Sequence, residues 1–199
     1  MTQDVNIHQA LAAVRQATDS TAESWVIGGS ASLMLRGLSL AALPRDLDLY
    51  CDDQDVANIH KALEPYAVDK PALSVTGMYR SVLSHYRIKG VHVELVGGFR
   101  VEAGGSVYET KVRETLLPLS EWIDINGLNL VLPVVPLAHE LWFNFLRDRM
   151  DRVELIAKAC SAAPEKHVHA FAVIEQSNTF TEEAKHSLRR LLANREAGE

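Results

Sequence analysis

The sequence predicts an α+β protein, with a mixed helix-and-strand part over residues 1–133 followed by a helical part over residues 134–199. Three observations predict it. Short stretches of period-two alternation, in which successive side chains fall on opposite faces, recur between Trp25 and Val96. Runs of helix formers with apolar residues at helical spacing separate them. From Leu137 onward only the helical spacing continues, after Pro133 and Pro136 close the sheet region.

Residues 5–17 form the opening amphipathic helix. The apolar run Trp25, Val26, Ile27 then reads as a short strand, and Gly28, Gly29 and Ser30 as a tight turn into a helix over 31–37. Two residues without Cβ let backbone amides approach a bulky anion, and the start of a helix favours negative charge there. Ser30 adds a hydroxyl donor or caps the helix. Taken alone, the turn is equally served by a strand-to-helix junction that needs glycine for its geometry.

Asp46, Leu47, Asp48, Leu49 and Tyr50 alternate as a strand, which sends Asp46 and Asp48 to one face and both leucines to the other. Two carboxylates side by side raise the cost of ionising both, an arrangement that a divalent cation relieves. Magnesium, a hard ion, suits such oxygen donors. A solvent-facing edge strand would show the same alternation. After a helix over 55–63, residues 81–89 and the run Val91 to Val96 read as two strands joined at Lys89-Gly90. That hairpin carries Glu94 on the face of His92, and it brings a third carboxylate beside the aspartate strand.

Further on, Gly97-Gly98 and Gly104-Gly105 bracket a turn, and residues 116–132 read as short strands or loops with a turn at Asn126-Gly127. Helices follow over 137–146, 151–160, 165–175 and 181–194, the last opened by Thr181, Glu182 and Glu183.

The 199 residues, 47% hydrophobic and 23% charged, are ordinary globular material long enough to bury a core. No apolar run reaches bilayer length and the N-terminus does not read as a signal peptide, so a cytoplasmic location with no membrane partner is expected. Cys51 and Cys160 lack metal-ligand spacing and read as reduced thiols. His167 and His169 form an H-x-H with no further zinc ligands nearby. The net charge of −6 speaks against a broad nucleic-acid binder. Local basic clusters do occur at Arg80, Arg87 and Lys89, at Lys111 and Arg113, and at Arg147, Arg149 and Arg152.

The order and spacing of Gly29-Ser30, Asp46-x-Asp48 and Glu94 resemble the nucleotidyltransferase superfamily that includes DNA polymerase beta, over about the first half of the chain. The resemblance implies a small mixed sheet flanked by helices, with Asp46, Asp48 and Glu94 holding two magnesium ions, manganese being a possible substitute. It implies that Gly28, Gly29 and Ser30 hold the β and γ phosphates of a nucleoside triphosphate, with Arg45 a weaker candidate. The stretch from Val134 to Asp151 is similar to the later motif of small bacterial nucleotidyltransferases, including abortive-infection and toxin members. There a lysine and an R-x-x-D turn hold the nucleotide. Arg147 or Arg149 and Asp151 can be laid onto that turn, but residues 137–146 contain no lysine.

The implied activity is transfer of a nucleoside monophosphate to an acceptor hydroxyl. A tRNA 3′ end, as for a toxin with an antitoxin partner, is slightly favoured by size and the C-terminal helices. The acidic charge favours a small molecule such as an aminoglycoside or lincosamide. A fold kept only for nucleotide binding or regulation is the reading of a different class.

Overall fold

The computed structural model describes residues 3–196 apart from Asn126, so the turn expected there lies outside the described residues. In chain order the elements are α1 (Gln3–Thr18), β1 (Trp25–Gly28), α2 (Gly29–Leu35), β2 (Asp46–Cys51), α3 (Val56–Leu63), β3 (Ala72–Val75), β4 (Tyr79–Ile88) and β5 (Val91–Ala103). They continue with β6 (Ser106–Glu109), β7 (Glu121–Ile125), β8 (Leu130–Val134), α4 (Leu137–Leu146), α5 (Met150–Ser161), α6 (Val168–Ser177) and α7 (Glu182–Glu196). The architecture is the expected α+β one, a mixed sheet with helices on it and a helical C-terminal part.

Among the described residues eight strands form one sheet in the order β3-β4-β5-β2-β1-β8-β7, with β6 paired to β5. The pairs β2–β5 and β1–β8 are parallel and the rest antiparallel. Strand alternation divides the core in two. Leu47 and Leu49 of β2 are fully buried with Ile7 and Leu11 of α1 and Ile59 and Leu63 of α3. On the opposite face Tyr50 and Val96 pack with Leu141, Trp142 and Phe143 of α4 and with Val153 and Ile156 of α5. Each such side chain contributes about 1.5–3 kcal/mol on burial, so α4 and α5 are held on the sheet by apolar area. The rings of Trp142 and Phe180 stack at 4.0 Å and bring the segment before α7 onto α4. No helix among the described residues is long and apolar enough to cross a membrane.

Several boundaries differ from the sequence reading. β5 continues through Gly97 and Gly98, where its register with β4 shifts and Gly98 adopts φ +50, and only Gly104-Gly105 turns the chain, into β6. A Cβ at Gly97 would lie 2.1 Å from Val56 Cγ2, so this glycine marks a close helix-to-sheet approach. Pro133 sits inside β8, opposite Trp122 of β7, and the strand ends one residue later. Pairing with β1 is limited to Ile27–Val134, so the missing proline N–H is not needed there. β3 escaped the pattern because all four of its residues are exposed at the sheet edge. α6 begins at Val168, later than expected, because Pro164–Lys166 forms a separate short turn. Cys51 and Cys160 are both unpaired and buried, and burial pushes the Cys160 thiol up to about 12.

Candidate active site

The parallel pairing of β2 with β5 puts Asp46 beside His92 and Asp48 beside Glu94. Neighbouring strands lie about 4.8 Å apart, and residues two apart along a strand about 7 Å, so the three carboxylates occupy one patch two strands wide. The β4–β5 hairpin delivers Glu94 there. It turns through Lys89 and Gly90, both at positive φ, as a primed two-residue loop requires. On β4, His85 is the cross-strand partner of Glu94, and its Nε2 lies 3.9 Å from Glu94 Oε1. Asp69 fixes the ring from behind. Its Oδ2 is 2.6 Å from His85 Nδ1, and its Oδ1 accepts the His85 backbone N–H at 2.7 Å.

The electrostatics of the patch are strained by like charge. Burial, then the neighbouring charges of Asp46, Glu94 and Glu140, lift the Asp48 carboxyl to about 7. Burial and then Asp46 also raise Glu94. The nearby positive groups, Arg147 for Asp48 and His85 for Glu94, offset this only in part, and a hard divalent ion suits the donor set. Among the described residues no three acidic, histidine or cysteine side chains already converge as a metal cage. Magnesium does not require one, since it takes one or two carboxylates and completes its shell with water and substrate phosphates. Asp46, Asp48 and Glu94 therefore fit that ion.

The glycine turn is built against this patch. Gly29 opens α2 at φ +63, where a Cβ would lie 1.9 Å from Asp48 Oδ2. Only glycine fits both the left-handed backbone and the contact. Gly28 is equally confined, with a Cβ position 2.0 Å from Tyr50 Cε2. The Gly29 N–H, expected from the sequence to be open to an anion, instead donates to Glu140 Oε1 at 2.7 Å. Ser30 lines the cavity that opens in front of the turn.

That cavity, about 330 Å³, has Asp46, Asp48 and Glu94 on one wall and Arg147, Arg149 and Arg152 on another. The volume is within the range of small-ligand sites. Arg147, at the C-terminal end of α4, lays its guanidinium over the rings of Phe143 at 4.9 Å and Tyr79 at 5.5 Å. Arg152 is largely buried, and its Nε has no hydrogen-bond partner, although the Asp151 carboxylate lies 3.6 Å away. Hydroxyl side chains of Ser74, Thr76 and Ser81 contribute to the β3–β4 side of the cavity.

Of the residues singled out in the sequence, Gly29, Ser30, Asp46, Asp48 and Glu94 meet at the cavity, together with Arg147 and Arg149. Gly28 is buried just behind them. Arg45 is exposed and does not line the cavity, and Asp151 points outward with its side chain 74% exposed. Arg152, named in the sequence with Arg147 and Arg149 as a basic cluster, also lines the cavity, whereas Glu140 and Asn144 are cavity residues that sequence reasoning missed. A signal existed for both. In the apolar helix LAHELWFNFL, Glu140 and Asn144 are spaced i, i+4 and continue to Arg147, one polar stripe that burial forces to find partners.

The sequence matches no family model and no curated protein. Solved structures do resemble this one. A Thermotoga maritima protein provisionally assigned as a nucleotidyltransferase superposes with a TM-score of 0.62 at 19% identity, over 81% of this chain and 96% of that one. The antibiotic-resistance factor ANT(2″)-Ia superposes with a TM-score of 0.52 at 16% identity, over 98% of this chain and 95% of that one. The chain thus has the nucleotidyltransferase fold. At these identities the likeness establishes the fold and leaves the chemistry to the residues in the site.

Proposed function

We propose that this protein is a nucleotidyltransferase that joins a nucleoside monophosphate, from a nucleoside triphosphate, to the hydroxyl of a small-molecule acceptor. The observation that carries the reading is that one cavity has Asp46, Asp48 and Glu94 on one wall and three arginines on another. Phosphoryl transfer needs little covalent help from a protein and gains most from positioning and charge neutralisation. Ser30 and the arginine wall hold the phosphates, with Arg147 and Arg149 offering forked donors to their oxygens. Asp46, Asp48 and Glu94 would hold magnesium. When bound, the metal neutralises the triphosphate and acidifies the acceptor hydroxyl.

The acceptor oxygen attacks the α-phosphorus as the bond to pyrophosphate breaks, and Glu94 accepts the hydroxyl proton. Burial and the neighbouring Asp46 raise its affinity for protons, the direction that a general base needs. His85, held by Asp69, lies next to Glu94.

A small acceptor is favoured over a tRNA end because many basic residues outside the cavity are already neutralised. Arg80 pairs with Asp53 at 2.5 Å, Arg113 with Asp55 at 2.9 Å and Arg100 with Glu102 at 2.9 Å. A surface that tracks a phosphate backbone needs clustered free cations. The hydroxyl side chains at the β3–β4 wall suit a polar, hydroxylated acceptor, and one structural neighbour is an antibiotic-resistance factor. A toxin acting on tRNA with an antitoxin partner is the competing acceptor assignment. The test is transfer of α-labelled nucleotide to aminoglycosides, lincosamides or total tRNA, with Asp46→Ala/Asp48→Ala as control. Label on a small molecule supports the reading, and label on tRNA alone overturns the acceptor assignment.

A further inference from the structure

Glu140 is a charged side chain with 1% exposure, placed 111 residues after the glycine turn it touches. A carboxylate so deeply buried is tolerated only when its oxygens are satisfied. Here they are. Oε1 accepts the Gly29 N–H at 2.7 Å and the Ser32 hydroxyl at 3.0 Å, and Oε2 accepts from Asn144 Nδ2 at 3.2 Å. Asn144 Nδ2 also donates to the Glu140 main-chain carbonyl at 2.8 Å, which braces the helix turn that carries both residues.

The position matters because Gly29 has no slack. Its backbone is at φ +63, and the space above its Cα is filled by Asp48 Oδ2. A shift of the turn toward β2 collides with Asp48, and a shift away opens the space beside it. The Gly29 N–H is therefore the handle by which α4 sets the separation between the turn and the aspartate strand. The same face of α4 ends at Arg147, so one helix positions the turn and also supplies the arginine wall.

We propose that Glu140 is a positioning residue of the nucleotide site, a buried clamp from α4 that fixes the Gly29-Ser30 turn against Asp48. This rests on the nucleotidyltransferase reading and adds a residue whose carboxylate acts through the turn that it holds. The clamp makes two demands on its side chain, length and an oxygen acceptor. Glutamine keeps the length and the Oε1 acceptor for Gly29 and Ser32, although its amide nitrogen would face Asn144 Nδ2, whereas aspartate is one methylene short and alanine meets neither demand.

The test compares Glu140→Gln, Glu140→Asp and Glu140→Ala, with Ile174→Ala as a control chosen for a similar fall in Tm. Ile174 is buried in α6 and lines no part of the cavity. Two readouts are taken: KM and kcat with the triphosphate and the acceptor varied separately, and hydrogen exchange of the Gly29 amide in nucleotide-free protein. Loss of one buried charged hydrogen bond corresponds to roughly a ten- to hundredfold effect. The triphosphate KM is expected to rise about tenfold or more in Glu140→Ala and Glu140→Asp, with the acceptor KM unchanged and Glu140→Gln within about threefold of wild type. Gly29 exchange should accelerate about tenfold or more in the alanine variant alone or with aspartate. Should alanine fail to fold, aspartate carries the comparison. The proposal is overturned if the glutamine variant is as impaired as alanine, if the folded variants keep the wild-type triphosphate KM, or if Ile174→Ala raises that KM equally. Wild-type protein that binds no triphosphate overturns the functional reading itself, and the Gly29 exchange rates then still decide whether the clamp exists.

Discussion

Replacing Asp48 with asparagine should make the metal-free protein more stable at neutral pH while abolishing its activity. The Asp48 carboxyl titrates near 3.8 in the unfolded chain and at about 7 in the folded protein. The folded pKa is raised, so between those values the folded protein holds a proton that the unfolded chain releases. Stability then falls as pH rises through the window, and the loss is complete above about 7. A shift of roughly three units corresponds to about 4 kcal/mol at most. Partial exposure of the side chain to the cavity reduces the expected effect to about 2–3 kcal/mol at pH 8. Near pH 4.5, where most of the window has been crossed, the gap shrinks to about 1 kcal/mol or less. Asparagine cannot ionise, keeps the shape, and escapes the penalty.

The assay is urea unfolding of wild type and Asp48→Asn in EDTA at pH 4.5, 6 and 8, with slopes compared so that only midpoints are interpreted. Magnesium added at pH 8 should stabilise wild type more than the variant and narrow the gap. A variant less stable than wild type at pH 8, or a gap that does not change with pH, would refute the like-charge account of the patch. Stabilisation bought at the cost of function is a common signature of a strained active site.

Three further outcomes follow from the geometry. Glu94→Gln should lower kcat by about 10²–10⁴-fold or more, since the proton acceptor and a carboxylate of the magnesium set are lost together, as steady-state kinetics with the triphosphate and the acceptor varied separately would reveal. Gly28→Ala should lower stability by about 1–3 kcal/mol in urea, because the Tyr50 ring that a Cβ would strike is itself packed among Phe99, His139 and Phe143. Arg147→Met should weaken triphosphate binding about tenfold and reduce its salt dependence, measured by titration at two ionic strengths, because the methionine keeps apolar contact with Tyr79 and Phe143 but not the charge.

The sheet half of the site was legible because strand periodicity is local. Leu47 and Leu49 at alternate positions place Asp46 and Asp48 on the other face, and the Lys89-Gly90 hairpin that brings Glu94 alongside can be recognised from two residues. The helical half was harder to read. Arg152 reaches the cavity because α5 packs back against α4, a tertiary fact with no sequence period of its own. Glu140 was half legible: its i, i+4 stripe with Asn144 in an apolar helix marks a buried polar pair, but its other partners, a backbone amide and a serine more than 100 residues away, cannot be read locally. β3 was invisible because an exposed edge strand carries no alternation. Gly97 and Gly98 misled because a glycine required for close packing looks the same in sequence as one required for a turn.

The most direct test of nucleotidyl transfer is incubation of the purified protein with each α-labelled nucleoside triphosphate, magnesium, and aminoglycoside, lincosamide and tRNA acceptors, beside the Asp46→Ala/Asp48→Ala protein. The account predicts labelled small-molecule product and released pyrophosphate with the wild-type protein only. Absence of labelled product from every acceptor, with no magnesium-dependent triphosphate binding by calorimetry, would contradict it.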